Sequence, residues 1–328
     1  MSVKPIIIDG AHATLFDEFI AYKRNMGYGY SHPIMERLRQ FSRFLAKFPT
    51  EDGVLTKALA DAYCEPKEGE AVSTRNNRLS LSRQFALFLN SKGIQTYVPP
   101  EQRQKKTSNF IPFIITEAQM ADIIKCADET PFISHASTTK YVYPMLLRLL
   151  WCCGLRLGEA IHLRLQDVDI DAGVLTVRKA KYNQTRLIPI SATLLEYIRT
   201  YRNKMQFSLR EPDAFFLPTH RDGNYSRSSA AINIKRIMLR AGVTKDGVKP
   251  PRVHDIRHSY AVRALKKMAD ENVDIYCALP MLSIFMGHSD IKSTEYYLRL
   301  TGHVFSDVAT LMEPAYATVF PEVCDENG

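Results

Sequence analysis

The sequence predicts an α+β protein that is mostly helical and divided into two domains. Apolar residues recur at helical spacing through most of the 328 residues, which favours helices in both halves of the chain. Residues 163–190 are instead rich in β-branched and leucine residues and contain turn signals, which predicts a small antiparallel sheet. A chain of this length exceeds the usual size of one domain, so each half can bury a core of its own.

The sequence pattern of the N-terminal half predicts a helical domain over residues 1–97. Residues 12–48 alternate apolar and polar positions as two helices would. Six apolar residues share the side of these helices that we expect to face the core: Leu15, Phe19, Tyr22, Leu38, Phe41 and Phe44. A further helical run extends from Ser73 to Leu89 and ends near Gly93.

A proline-containing basic stretch is predicted to join the two domains. The sequence YVPPEQRQKKTSNF covers residues 97–110, and we place the linker at residues 98–114. The second domain, residues 115–328, begins with Thr116 and Gln119 at the spacing of a helix-capping box.

The second domain is predicted to be helical on both sides of its sheet. An apolar run at about residues 140–153 predicts a buried helix that stops at Gly154. Within the sheet, Asp171-Ala172-Gly173 indicates a turn, and the polar segment KAKYNQ indicates the tip of a hairpin. Helical patterns resume after the sheet in five segments: 191–205, 226–241, 253–268, 274–286 and 290–311.

The charge of the chain favours a polyanionic partner. Net charge is +8, and it is spread over both domains, because residues 1–110 hold 16 Lys and Arg against 11 acids and residues 111–312 hold 27 against 20. The last sixteen residues hold four acids and no Lys or Arg. Both domains therefore carry charge that suits a polyanion such as DNA, and we expect the C-terminal tail to avoid it.

The cysteines and apolar segments predict a cytoplasmic protein without a membrane span. The six cysteines are scattered, none at the spacing of a zinc site, which fits a reducing compartment. The opening residues MSVKPIIIDG lack the long apolar core of a signal peptide. Residues 141–155 are the most apolar stretch, but Arg148 divides them and they are too short to cross a bilayer.

Four segments of the second domain carry residues suited to one chemistry. They are CGLRLGEA with Arg156 and Glu159, VRKAKYNQTRLIPI with Lys179 and Lys181, HDIRHSYA with His254 and Arg257, and MGHSDIKSTEYYLRL with His288, Tyr296 and Tyr297. Each segment alone has an ordinary structural explanation: a surface ion pair, solvated lysines, a capping histidine or core aromatic residues. Their combination is what favours a function.

Together these residues suit attack on a phosphodiester. Such an attack adds negative charge to the non-bridging oxygens, and fixed guanidinium groups stabilise that charge. Two arginines, two histidines, a lysine and a tyrosine supply charge stabilisation, proton transfer and a nucleophile without a metal or other cofactor. Few other reactions need this set of groups.

The order and spacing of the segments over residues 115–300 resemble the tyrosine recombinase or phage integrase family. The resemblance implies that Arg156 and Arg257 bind the phosphate and that Glu159 supports Arg156. It also implies that Lys181 is the hairpin lysine that protonates the leaving oxygen. The remaining residues match in the same way: His254 manages the tyrosine proton, His288 helps to stabilise the phosphate, and Tyr297, nine residues later, is the nucleophile.

Three neighbouring residues leave alternatives open. Tyr296 precedes the assigned nucleophile and Lys179 lies two residues before Lys181, so each could take its neighbour's role. His258, directly after Arg257, also matches a frequent family residue, and we interpret it as structural. The residues after the nucleophile, Leu298 and Arg299, depart from the polar residues and histidine that often follow it in the family.

The resemblance also implies an architecture and partners. A helical, SAM-like core-binding domain and the catalytic domain would close as a C-shaped clamp on double-stranded DNA with an inverted-repeat core site. The protein would assemble as a dimer or tetramer, and the tail at about residues 301–328 would dock on a neighbouring protomer. The resemblance also implies a role in DNA integration, excision or transposition, with accessory recombination proteins as further partners.

Two other functions are compatible with the sequence. A type IB topoisomerase uses a similar site to relax supercoils as a monomer, whereas a recombinase binds an inverted repeat and joins two duplexes. A DNA-binding protein of the same fold without catalytic activity is the other alternative. The complete set of candidate catalytic residues argues against it, and a covalent-adduct assay separates the two.

Overall fold

In the computed structural model, the described residues form two compact units, one that ends at Glu101 and one that begins at Ile111. The described residues are 7–8, 12–30, 32–48, 55–101, 111–129, 138–178, 185–207, 210–245, 247–288, 294 and 297. They are mostly helical, with one small antiparallel sheet among them, which confirms the predicted fold class.

Among its described residues, the first unit contains four helices around an aromatic core. These are α1 (Ala13–Asn25), α2 (His32–Leu45), α3 (Lys57–Cys64) and α4 (Val72–Ser91). Phe16 of α1 stacks on Phe85 of α4 with ring centroids 4.3 Å apart, and Phe41 of α2 meets both rings edge-on. Burial of these rings and their mutual contacts hold α1, α2 and α4 together.

Helix α3 was not predicted, and a buried arginine joins it to α4. The hydroxyl of Thr56 caps α3 by accepting a hydrogen bond from the Leu59 backbone N–H. Arg78 of α4 donates to the backbone carbonyl of Glu65 at 2.9 Å and from Nε to the carboxylate of Glu70 at 2.9 Å. These contacts satisfy a buried guanidinium at the end of α3.

The second unit contains seven helices and the sheet among its described residues. The helices are α5 (Glu117–Asp128), α6 (Thr139–Cys153), α7 (Leu157–Ala160), α8 (Ala192–Lys204), α9 (Arg227–Arg240), α10 (Val253–Asp270) and α11 (Ile275–Met286). The predicted capping box is present, since Thr116 and Gln119 exchange side-chain to backbone hydrogen bonds at the start of α5. Nine of the fifteen residues of α6 are buried, as its apolar sequence predicts.

The sheet has the order β1–β2–β3 and is antiparallel throughout. The strands are β1 (Val168–Asp169), β2 (Val174–Arg178) and β3 (Thr185–Pro189). Side chains alternate along β3: Thr185, Leu187 and Pro189 are exposed, whereas Arg186 is half-buried and Ile188 is buried. An arginine therefore lies on the inner side of this strand.

A second, smaller apolar cluster adjoins α10 and α11. Tyr297 is buried in it, and its other buried members are Ala261, Val262, Leu265, Leu279, Leu282 and Met286. Thr294 and Tyr297 are helical, and the rest of the predicted helix 290–311 and the tail lie outside the described residues. In the part of the chain that is described, no helix is both long and apolar enough to cross a membrane.

We predict that Phe85→Ala lowers the free energy of unfolding of the first unit by about 3–5 kcal/mol, because it leaves a cavity between three aromatic rings. Urea denaturation of the full chain, followed by circular dichroism, measures this change. Leu87→Ala on the same helix is the control, since Leu87 is 48% exposed and should change stability by about 0.5 kcal/mol or less. Equal effects of the two substitutions would contradict the assigned core.

Candidate active site

Arg156 lies at the junction of α6 and α7. Helix α6 ends at Gly154, whose φ of 58° is left-handed, and an added Cβ there would lie 2.5 Å from the ring of Tyr260. The chain then extends to Arg156, the N-cap of α7. Its Nη1 donates to Glu159 at 2.8 Å and its Nη2 donates to the carbonyl of Gly287 at 2.8 Å. The predicted Arg156–Glu159 pair is thus formed.

Glu159 is shared by several arginines. Its carboxylate accepts a hydrogen bond from the Arg156 backbone N–H at 2.8 Å and two from Arg186, at 2.7 and 3.1 Å. Nη1 of Arg257 lies 3.9 Å from the same carboxylate. Burial alone would raise the pKa of Glu159, but the guanidinium groups outweigh it and lower the pKa to about 2. Glu159 is therefore an anion at neutral pH.

Arg257 on α10 is buried, with 1% of its surface exposed. Its Nη1 donates to the carbonyl of Gly154 at 2.7 Å, and its Nη2 donates to the carbonyl of Met286. Burial, and then the positive charge of Arg156, lower the pKa of Arg257 to about 10, so it stays charged at neutral pH. Among the described residues, its buried Nε has no hydrogen-bond partner.

The C-terminal ends of α6 and α11 supply the carbonyls that hold these arginines. Backbone carbonyls in the last turn of a helix lack partners within the helix and carry partial negative charge. At the end of α11, the carbonyls of Phe285, Met286 and Gly287 accept from Arg186, Arg257 and Arg156 respectively. Gly287 has a φ of 64°, a conformation that favours glycine. Gly154 and Gly287 thus end α6 and α11 at the places where the arginines bind.

Two histidines follow each other at one-turn spacing on α10. His254 and His258 are four residues apart, and their ring centroids lie 4.7 Å apart. Burial and the positive charge of Arg257 lower the pKa of His254. Burial, and then electrostatic interaction with His254, Arg252, Arg257 and His288, lower the pKa of His258 to about 3. Both imidazoles are neutral at pH 7.

Tyr297 contacts two histidines from different elements. Its hydroxyl lies 3.1 Å from Nδ1 of His258, and its ring stacks on that of His288 with centroids 6.1 Å apart. The His288 ring is held by a 2.8 Å hydrogen bond between its Nδ1 and the hydroxyl of Thr294. Tyr297 itself is 2% exposed.

The structure brings most of the predicted site residues into one cluster. Arg156, Glu159 and Arg257 are joined through one carboxylate and two helix ends. His258 contacts both His254 and Tyr297, and the ring of His288 stacks on Tyr297. Lys181 and its alternative Lys179 lie outside the described residues, and so does Tyr296. No group of three or more His, Cys, Asp and Glu residues in the described ranges is placed to hold a metal ion.

Two residues of this cluster were not assigned from the sequence. Arg186 belongs to the segment VRKAKYNQTRLIPI but was given no role, yet its guanidinium joins β3 to Glu159 and to α11. A signal was present, because Arg186 shares a face of β3 with the apolar Ile188. His258 was interpreted as structural, and no local signal indicates its contact with a residue 39 positions later.

Comparison with known proteins gives matches over most of the chain. The model of the "Phage integrase family" matches residues 114–303, more than half of the chain. The y4rB protein of Sinorhizobium fredii, named as an integrase/recombinase, is 30% identical over 298 residues, which are 86% of this chain and 90% of the relative. Tyrosine recombinase XerD of Neisseria meningitidis serogroup B is 28% identical over 269 residues, which are 80% of this chain and 82% of the relative.

Solved structures show the same fold. The XerH site-specific recombinase bound to palindromic difH substrate has a TM-score of 0.62 at 14% identity, over 84% of this chain and 78% of that chain. The Tn1549 transposon integrase in complex with transposon right end DNA has a TM-score of 0.60 at 16% identity, over 86% of this chain and 94% of that chain.

We predict that Glu159→Gln lowers the free energy of unfolding by about 3 kcal/mol at pH 7, because it leaves buried guanidinium groups without their anion. Folding lowers the pKa of Glu159 from 4.5 to about 2, so its contribution is complete above pH 4.5 and is lost as pH falls towards 2. The stability difference from the wild type should therefore be constant between pH 7 and 5 and shrink below 4.5.

Denaturation at several pH values measures this difference. Glu196→Gln serves as the control, because Glu196 forms an exposed pair with Arg199 and should change stability by about 0.5 kcal/mol or less. A Glu159→Gln protein as stable as the control protein at pH 7 would contradict the role given to this carboxylate.

Proposed function

This chain belongs to the phage integrase family, and we propose that it exchanges DNA strands at a specific site through a covalent 3′-phosphotyrosyl bond to Tyr297. It is an enzyme of the tyrosine recombinase class. In this reaction, each strand is cut by transesterification and rejoined to a strand of a second duplex. The energy of the broken phosphodiester is kept in the phosphotyrosine, so the chemistry itself consumes no ATP.

The observation that carries this proposal is the convergence of Arg156, Arg257, His254, His288 and Tyr297 in the second unit. Two charged guanidinium groups lie beside neutral imidazoles and a tyrosine. A pentavalent phosphate carries more negative charge than the phosphodiester, and fixed cations in a site shielded from water stabilise that difference. The tyrosine supplies the oxygen nucleophile.

The two arginines are suited to different parts of this task. The guanidinium of Arg156 is partly accessible to solvent, so it can meet a phosphate directly. Arg257 is rigid and buried, and its Nε–H is not committed to a partner among the described residues, which leaves one donor for the phosphate. Because Tyr297 is 2% exposed, productive DNA binding also has to uncover its hydroxyl.

The mechanism follows from these positions and from the family resemblance. The Tyr297 oxygen attacks the scissile phosphorus, its proton passes to a histidine, and the 5′-oxygen leaves with a proton from Lys181. The resemblance gives the proton-accepting role to His254 and the stabilising role to His288. A 5′-hydroxyl of the partner strand then attacks the phosphotyrosine and reverses the step.

The partner is proposed to be double-stranded DNA with an inverted-repeat core site. The lambda integrase dimer of one related structure is bound to a COC′ core site, and the lambda integrase tetramer of another to a Holliday junction. By the same proposal, this chain assembles into a dimer and a tetramer on DNA in order to join two duplexes. With a net charge of +8, binding should weaken steeply as salt rises.

The two predicted domains take separate roles in this proposal. Residues 1–97 form the core-binding domain and residues 115–328 the catalytic domain, which close on DNA as a C-shaped clamp with the linker 98–114 between them. The tail at about residues 301–328 docks on a neighbouring protomer. The process that we propose for the whole protein is DNA integration, excision or transposition, together with accessory proteins.

We predict that Tyr297→Phe binds DNA but forms no covalent complex, because it lacks only the attacking hydroxyl. The test uses a duplex that the purified protein selects from a random pool, nicked so that the cleaved strand cannot be rejoined, with the adduct detected on a denaturing gel. Tyr296→Phe is the matched control and should form the adduct. The opposite pattern would assign the nucleophile to Tyr296. A protein that relaxes supercoiled DNA but never joins two duplexes would instead be a topoisomerase.

We also predict that truncation after Met312 preserves binding to one half-site but reduces cooperative binding and strand exchange. The removed segment contains Tyr316, Val319 and Phe320, and burial of such side chains contributes about 1.5–3 kcal/mol each. Gel-shift titrations and a two-duplex recombination assay measure the two properties. Normal assembly and recombination by the truncated protein would refute the proposed docking.

A further inference from the structure

We propose that His258 is a catalytic residue of the strand-cleavage reaction and accepts the phenolic proton of Tyr297. This inference rests on the proposed function, and it assigns the proton to a histidine other than the one that the family resemblance implies. The hydroxyl of Tyr297 and Nδ1 of His258 are 3.1 Å apart, which is within hydrogen-bond distance.

The Tyr297 hydroxyl needs a proton acceptor within reach, because a phenol that attacks phosphorus must lose its proton. In the DNA-free protein Tyr297 is 2% exposed, and His258 is the group that its hydroxyl contacts at 3.1 Å. His258 comes from α10, the same helix that carries His254 and Arg257, so it is held at the edge of the phosphate-binding groups. A general base has to lie within about 2.6–3.2 Å of the proton's oxygen, and His258 meets this condition.

The surroundings of His258 keep it unprotonated in the free protein. Besides burial, the groups that lower its pKa are His254, Arg252, Arg257 and His288. In the free protein His258 is therefore neutral, and a neutral imidazole has one nitrogen that can take up a proton. A bound phosphodiester brings a negative charge that offsets the effect of the arginines and raises the affinity of His258 for a proton. Proton acceptance is thus favoured once DNA is in place.

In strand cleavage, the O–H bond of Tyr297 breaks and its proton moves to Nδ1 of His258, while the phenolic oxygen forms a bond to phosphorus. The bond from phosphorus to the 5′-oxygen breaks, and that oxygen takes a proton from the general acid, proposed as Lys181. In the rejoining step, His258 returns its proton to the departing Tyr297 oxygen.

The test compares His258→Asn and His258→Ala with wild type in single-turnover cleavage of the selected, nicked duplex. Asparagine can still form a hydrogen bond near the position of Nδ1 but cannot take up a proton. We expect adduct formation by both variants to slow by about 100-fold or more, with unchanged DNA affinity and a normal thermal unfolding transition. His220→Asn, the same substitution at an exposed turn, is the control and should cleave like wild type.

Modified reactants separate proton removal from the nucleophile and proton donation to the leaving group. A ring-fluorinated tyrosine at position 297 ionises more readily and should restore much of the rate lost in His258→Asn. A 5′-bridging sulfur leaves without a proton, so it should rescue Lys181→Ala but not His258→Asn. Rescue of His258→Asn by the sulfur, or no rescue by fluorination, would overturn the proposal.

Two further outcomes are distinguishable. If His258 only holds Tyr297 in a resting position, His258→Asn will cleave as fast as wild type or faster, and the proposal is wrong although the recombinase function stands. If wild type forms no adduct with any selected duplex, the proposed function itself fails.

Discussion

The carboxylate of Glu159 is the interaction on which the arrangement of the site depends. Two arginines contact it directly and a third lies 3.9 Å away, so three positive charges converge in a partly buried region. Without an anion, their mutual repulsion and loss of hydration would be costly. The ion pairs also explain why the pKa of Glu159 is lowered to about 2 even though burial alone would raise it.

Backbone carbonyls at two helix ends are the other acceptors for these arginines. The carbonyls that close α6 and α11 have no helical partners, and the arginines donate to them. One set of contacts therefore satisfies the ends of two helices, orients Arg156 and Arg257, and ties β3 to α11 through Arg186. Since β3 begins at Thr185, directly after the segment 179–184 that contains Lys181, the position of this strand sets where that segment ends. Stability and the geometry needed for catalysis rest on the same hydrogen bonds.

Local patterns in the sequence predict the features that local interactions determine. The end of α6 at Gly154, the capping box at Thr116 and the pairing of Arg156 with Glu159 all involve residues within a few positions of each other. Helix α3 was missed because it has only eight residues, although Thr56 is a cap signal. The residue types that suggest phosphate chemistry can also be recognised in the sequence, because the four segments contain them in the order that the family shows.

Long-range contacts are what the sequence could not predict. The bonds from Arg186 to Glu159 and from His258 to Tyr297 join residues 27 and 39 positions apart, and they depend on how whole elements pack. A periodic pattern tells which face of an element is buried but not which group it will meet there. For this reason Arg186 had no assigned role and His258 only a structural one until their surroundings were known.

The central claim is that this cluster cleaves DNA through Tyr297. Mass spectrometry of the trapped wild-type adduct tests it most directly. Trypsin should release residues 293–299 as the peptide STEYYLR, and fragmentation separates Tyr296 from Tyr297. A nucleotide phosphate on Tyr297 is the predicted result, whereas attachment to Tyr296 or to a residue outside this peptide would contradict it.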